Sequence, residues 1–166
     1  MYEKSIELLN RGVRDELTAV HQYMYFHFHL DDQGYDLLSA LFKRTAIQEM
    51  GHVEALAERI LFLKGDVTMR VAEDVKPVQQ VEQILEMARK MEETSARDYN
   101  LWANECSANA DAVSKKIFEQ LVADEETHFS QFDHELDKVK QFGDRYLALQ
   151  SLERSKSVAA GEVSAD

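Results

Sequence analysis

This 166-residue chain predicts an all-α fold, a bundle of four long helices with one long crossover between the second and third. Three observations predict it. One proline and six glycines leave too little punctuation for a many-turned sheet protein, and they suit long uninterrupted helices. Apolar residues recur every three or four positions through four separate stretches. Short turns join the first stretch to the second and the third to the fourth, whereas a patternless segment of about 12 residues separates the middle two, as a crossover requires.

The first helix spans about residues 3–30, with Ile6, Leu9, Val13, Leu17, Val20, Met24 and Phe28 on one face, and Asp31-Asp32-Gln33-Gly34 stops it. The second spans about 35–63 and ends at Lys64-Gly65. The pattern fades from Asp66 to Pro77, and Pro77 suits the first turn of a third helix over about 78–104. A fourth runs over about 112–142 and stops at Gly143. At 1.5 Å per residue each is about 40 Å long. Residues 1–143 thus make one bundle. Within 144–166, Tyr146, Leu147, Leu149 and Leu152 suit a short fifth helix, and a loose tail is expected from Ser157 onward.

Composition excludes several classes of function. Hydrophobic residues at 45% and charged residues at 30% describe an ordinary globular domain rather than a disordered one. A net charge of -12 repels nucleic acid and anionic lipid. Lys4, Arg11, Arg154 and Lys156 are too sparse for a basic arm, so no tight nucleic-acid binding is expected. No apolar run approaches the roughly 18 residues of a membrane span, and residues 1–6 lack a signal-peptide core. The single cysteine, Cys106, excludes an intrachain disulfide and a four-cysteine metal site. The expectation is a cytoplasmic protein with no membrane partner.

The chemistry lies in a repeat. Glu49 precedes His52 by three residues and Glu125 precedes His128 by three, so each pair shares a helix face. With 18 glutamates and six histidines in the chain, such pairs alone are a weak signal. The spacing is not weak. Glu16 lies 33 residues before Glu49, and Glu92 lies 33 before Glu125; Tyr23 and Tyr99 each follow the lone glutamate by seven. One offset of 76 residues maps Glu16, Tyr23, Glu49 and His52 onto Glu92, Tyr99, Glu125 and His128. In a bundle these four carboxylates and two imidazoles meet at mid-height. Buried carboxylates demand compensation, and two divalent cations balance four negative charges. An oxygen-rich set with one imidazole per metal suits iron or manganese better than structural zinc. One glutamate from each of two helices plus Glu-x-x-His from the other two is a known dinuclear carboxylate arrangement.

Over about residues 5–150 the chain also resembles the bacterioferritins of the ferritin-like superfamily. The matching stretches are Asp15-Glu16-Leu17-Thr18-Ala19-Val20-His21-Gln22-Tyr23, Gln48-Glu49-Met50-Gly51-His52, Arg59-Ile60-Leu61-Phe62-Leu63-Lys64-Gly65 and Asp124-Glu125-Glu126-Thr127-His128. The resemblance implies two iron ions per subunit, with manganese or zinc as substitutes, held by Glu16, Glu49, His52, Glu92, Glu125 and His128. It further implies that Glu49 and Glu125 bridge the metals, with Tyr23 beside the ligands. The implied activity is ferroxidase: Fe(II) is oxidised by O₂ or H₂O₂ and stored as ferric mineral in a homo-oligomeric shell of 12 or 24 subunits, a protection against oxidative stress. The smaller shell belongs to the Dps-like branch.

Met50 stands where that family places a methionine that ligates haem across a subunit two-fold. Gly51 beside it, with His21 and Met24 on the matching face of the first helix, departs from the pattern. The preferred reading of Met50 is therefore a core or interface methionine. Tyr25, Phe26 and Phe28 read as core or subunit contacts, Trp102 and Cys106 as packing residues, and His27, His29 and His134 as surface or interface residues. Two other functions compete. A peroxide-removing dinuclear enzyme of the manganese-catalase or rubrerythrin kind keeps the ligand set, although one cysteine excludes the four-cysteine iron domain common in rubrerythrins. A non-catalytic oligomerising bundle leaves the repeat unexplained.

Overall fold

Residues 2–161 are described by a computed structural model. The helices are α1 (Glu3–Asp32), α2 (Asp36–Phe62), α3 (Val81–Ala108), α4 (Ala112–Phe142) and α5 (Asp144–Ala159), and no strand occurs among the described residues. Each long helix stops where its local chemistry dictates. Gly34 takes φ +83 between α1 and α2, a conformation that side chains with a Cβ resist. At the end of α2, Lys64 takes φ 65 and the amide of Gly65 bonds back to Ile60. Gly65 is required there for space: a Cβ would lie 2.7 Å from Ile6 Cγ2. Asp111 caps α4 by accepting from the Ser114 amide, and Arg59 of α2 donates to the same carboxylate over 2.6 Å.

The crossover is tied to α1 by a series of side-chain hydrogen bonds, and its Val67 and Val78 pack against the core. Asn10 donates to the Asp66 carbonyl (3.0 Å) and accepts from the Thr68 amide (2.7 Å). Further along, Thr18 accepts from the Ala72 amide, Gln22 brackets Lys76 with a bond to each backbone group, and Gln33 donates to the Gln79 carbonyl. These anchors climb α1 in the same order as the crossover residues, so the crossover runs alongside α1 to its far end. There α3 starts and runs antiparallel to α1.

Three boundaries differ from the sequence expectation, one of them the end of α3, which runs to Ala108 rather than to about 104. The pattern places Pro77 in the first turn of the third helix, but α3 begins only at Val81, with the Gln80 side chain accepting from the Gln83 amide. Gln22 engages both backbone groups of Lys76, and a residue before proline avoids helical angles, so Pro77 belongs to the extended crossover. The expected loose tail from Ser157 is helical through Ala159, because α5 is anchored near its end by Arg154 to the Asp31 carbonyl and to Asp36. The rest of that tail, residues 162–166, lies outside the described residues. Gln150 of α5 is buried and accepts from the Leu38 amide, supplying α2 with the cap that Tyr35 does not give.

The apolar core is split in two. One half gathers Tyr23, Phe26, Phe42, Ile84, Phe132 and Leu136; the other gathers Leu9, Val13, Leu56, Tyr99, Trp102 and Phe118. Between these halves lies a layer of buried ionisable residues.

Candidate metal centre

That layer contains all six residues of the repeat. Glu16, Glu49, Glu92, Glu125, His52 and His128 are each less than one-tenth exposed. One comes from α1, one from α3, and two each from α2 and α4, as the 33-residue spacing requires. Their ligand atoms fall into two groups, Glu16–Glu49–His52–Glu125 and Glu49–Glu92–Glu125–His128, each within 4.8 Å. Glu49 and Glu125 belong to both. The imidazoles lie side by side, centroids 6.0 Å apart, and both turn Nδ1 inward.

The donor set fits cations. Both oxygens of Glu49, Oε1 of Glu125, and Nδ1 of His52 and of His128 are buried and make no hydrogen bond. Yet His52 Nδ1 is 2.8 Å from Glu49 and 3.2 Å from Glu125, and His128 Nδ1 is 3.0 Å from Glu49. Short contacts without hydrogen-bond geometry are what lone pairs aimed at common cations produce, and buried polar atoms left without partners are otherwise costly.

Electrostatics agree. Burial, reinforced by the Glu49 charge, pushes Glu16 up to about 8. Burial and the charges of Glu16 and Glu92 raise Glu125 well above the usual carboxyl range. Burial opposes the charge on Glu49, but the His128 and His52 rings hold it down to about 2. Burial also opposes charge on His128, and Glu49 and Glu92 overcome it to reach about 10. Glu125, Glu16 and Glu49 likewise overcome burial to raise His52. The cluster therefore retains protons that bound cations displace.

Tyr23 is fully buried and donates its hydroxyl to Glu92 on α3; Tyr99 on α3 donates to Glu16 on α1 over 2.5 Å. The sequence reading selected Tyr23 and left Tyr99 only as its repeat partner. It also missed Asp124 and Gln48, whose side chains meet His52 Nε2 and His128 Nε2. Both lie at the 76-residue offset from one another, which is the signal that could have found them. With Gly51 and Thr127 they line a cavity of about 250 Å³ that leads to the two imidazoles between α2 and α4. A larger groove of about 360 Å³ lies under the crossover beside Asp15, Gln22, Met91 and Asp98, and none of the six repeat residues lines it.

Met50 lies outside this cluster. It faces away from the bundle on α2 and is 59% exposed, beside Ile47 at 62%. Of the aromatic cluster, Tyr23 and Phe26 join Phe42 and Phe132 in the core, Tyr25 is half-buried, and Phe28 is exposed. His27 is tied to the Ser39 hydroxyl over 2.8 Å.

Fold and donor set together define the class, a ferritin-like bundle whose buried core gathers two overlapping groups of side chains that could hold metal ions. The ferritin-like domain family matches residues 6–142. Bacterioferritin of Desulfovibrio desulfuricans is 37% identical over 145 residues, covering 87% of this chain and 81% of that protein. Bacterioferritin of Brucella melitensis is 33% identical, covering 85% and 88%. The solved D. desulfuricans bacterioferritin, described with its di-iron site in different catalytic states, superposes with a TM-score of 0.88 at 36% identity, covering 89% and 86%. Rhodobacter capsulatus bacterioferritin, solved with a metal-free dinuclear site and haem iron, gives 0.85 at 30%, covering 89% and 92%. The chain belongs to the bacterioferritin family.

Proposed function

We propose that this chain is a ferroxidase and iron-storage protein that oxidises Fe(II) with O₂ or H₂O₂ and holds the ferric product within a shell of its own copies. The observation that carries this reading is the convergence of five buried, unpartnered ligand atoms in two overlapping groups that share Glu49 and Glu125. In this assignment Glu16 and His52 serve one metal position, Glu92 and His128 the other, and Glu49 and Glu125 serve both. Iron bound there supplies one-electron chemistry to the oxidant. The chain supplies everything around it. The four carboxylates balance the charge of two divalent cations, while Tyr99 and Tyr23 hold Glu16 and Glu92 in place. The apolar halves of the core exclude water from both sides, and the cavity beside His52 and His128 gives small reactants a way in.

Several finer points belong to the same proposal: location in the cytoplasm, a shell of 12 or 24 subunits, and protection against oxidative stress through removal of Fe(II) together with peroxide. No described helix is long and apolar enough to cross a membrane. Haem is the remaining cofactor. On the outer face of α2 one chain offers it one exposed thioether, Met50, so a haem fits there only where a second copy supplies the other sulfur and the opposing face.

The test is an anaerobic Fe(II) titration of metal-stripped protein followed by stopped-flow mixing with O₂ or H₂O₂. The expected result is two irons per chain, rapid oxidation, and then accumulation of many irons per particle. Failure to bind two metals overturns the proposal. Rapid peroxide consumption without iron accumulation favours a peroxide-removing enzyme instead.

A further inference from the structure

The 76-residue repeat pairs Gln48 with Asp124 as well, and among the outer partners of the two imidazoles it changes chemistry there. His52 turns Nδ1 toward Glu16, Glu49 and Glu125, and its Nε2 lies 3.3 Å from Asp124 Oδ2. His128 turns Nδ1 toward Glu49 and Glu92, and its Nε2 lies 3.1 Å from Gln48 Oε1. With the Nδ1 lone pair directed at a metal, the ring hydrogen sits on Nε2 and is donated outward. In one half of the site it goes to a carboxylate, in the other to a neutral carboxamide.

The difference matters for a ligand. A carboxylate behind a metal-binding imidazole draws on the Nε2 hydrogen, leaves more electron density on Nδ1, and fixes the plane of the ring. An amide oxygen fixes the ring but polarises it less. Asp124 is itself oriented: Gln120 donates to its Oδ1 over 3.1 Å, which leaves Oδ2 for His52. It also places a fifth carboxylate against His52, where Gln48 puts none against His128. Both residues line the cavity that leads to the imidazoles, so the unequal partners stand at the entrance to the site.

We infer that Asp124 and Gln48 are positioning residues that make the two metal positions unequal, the one against His52 holding its cation tightly and the one against His128 exchanging it. The inference rests on the dinuclear reading above. It gives the pair a division of labour: one position keeps its metal, and the other passes metal between the entrance cavity and the store.

The test uses Co(II) binding to the whole metal-stripped protein, followed by absorbance and by competition with a chromophoric chelator, under argon. Wild type is expected to bind in two steps at least about tenfold apart. Asp124→Asn should weaken the tighter step by about 10- to 100-fold, the range for the loss of a partner behind a metal ligand. Gln48→Asp should tighten the looser step toward the first. His128→Ala should retain the tighter step and His52→Ala the looser one. Unchanged melting temperatures of the metal-free variants separate this effect from a folding defect. Two equal steps in wild type, unchanged affinities in Asp124→Asn, or the reverse assignment in the histidine variants overturns the inference. Absence of any second Co(II) in wild type overturns the dinuclear reading itself.

Discussion

Tyr99 on α3 donates its hydroxyl hydrogen to Glu16 on α1 over 2.5 Å, and Tyr23 on α1 returns the arrangement by donating to Glu92 on α3. Each helix that contributes a single glutamate thus fixes the glutamate of the other. Burial, together with the facing carboxylates, raises both phenols well above their ordinary value, so both remain donors throughout the accessible pH range.

Tyr99→Phe removes a hydrogen bond from a buried carboxylate and should cost about 1–3 kcal/mol of stability in the metal-free protein. It also frees Glu16 to rotate, so metal affinity and iron oxidation should fall together. Urea unfolding and stopped-flow oxidation check this. A variant that loses stability but oxidises iron at the wild-type rate would show that the tyrosine only supports packing.

Glu125→Gln should separate folding from metal binding. Since burial and neighbouring charges raise Glu125 well above the usual range, its neutral form is favoured without metal, and glutamine imitates that form. The metal-free variant should melt within a few degrees of wild type. Adding Zn(II) at a hundred times its dissociation constant should stabilise wild type by about 2.7 kcal/mol and the variant by much less. Calorimetry with and without Zn(II) decides the matter, and equal stabilisation of both proteins would remove Glu125 from the ligand set.

Asp111 predicts an acid-sensitive contribution to the fold. Burial opposes its charge, but Ser114 and Arg59 hold its carboxyl below the ordinary value. A depressed carboxyl stabilises the fold above its unfolded value, near pH 4, and that contribution is lost as pH falls through the lower folded value. Asp111→Ala should therefore cost about 3 kcal/mol at neutral pH, having removed a helix cap and the carboxylate that balances the Arg59 guanidinium, which keeps only its bond to the Ser114 hydroxyl and its place over the Phe62 ring. The difference from wild type should shrink as the pH is lowered below about 4. Denaturant melts at a series of pH values measure it; a difference that is constant with pH would rule out the ionised carboxylate as its source.

Loading with a redox-inert metal should also leave Met50→Leu indistinguishable from wild type, because Met50 points away from the cluster. Addition of haemin should separate the two proteins only if Met50 is a ligand, with the wild-type Soret band shifting and the variant's not. Identical spectra would remove Met50 from the cofactor chemistry.

The bundle and its six ligand candidates were legible because periodicity and spacing are one-dimensional records of helix faces. Glu16 and Glu49 lie 33 residues apart since a short turn brings two helices back alongside each other. Pro77 misled because its angles suit a helix start, and only the grip of Gln22 on Lys76 shows that the chain is still extended there. Tyr99, Gln48 and Asp124 were harder. A repeat shows which positions are equivalent, whereas their roles depend on contacts between α1 and α3 and between α2 and α4. The capping of α2 by Gln150 was invisible for the same reason, since donor and acceptor are separated by 112 positions.

The ladder of Asn10, Thr18, Gln22 and Gln33 along the crossover has a consequence for the site some distance away. Two helical hairpins packed through apolar side chains can slide along each other, and a slip of one turn displaces them by about 5.4 Å. Such a slip would part the carboxylates of α1 and α2 from those of α3 and α4 by more than the reach of a shared ligand. The crossover, pinned at successive heights on α1, sets where α3 begins and so fixes the axial registry of the two hairpins. It acts as a ruler, and its polar rungs keep Glu49 and Glu125 at one level.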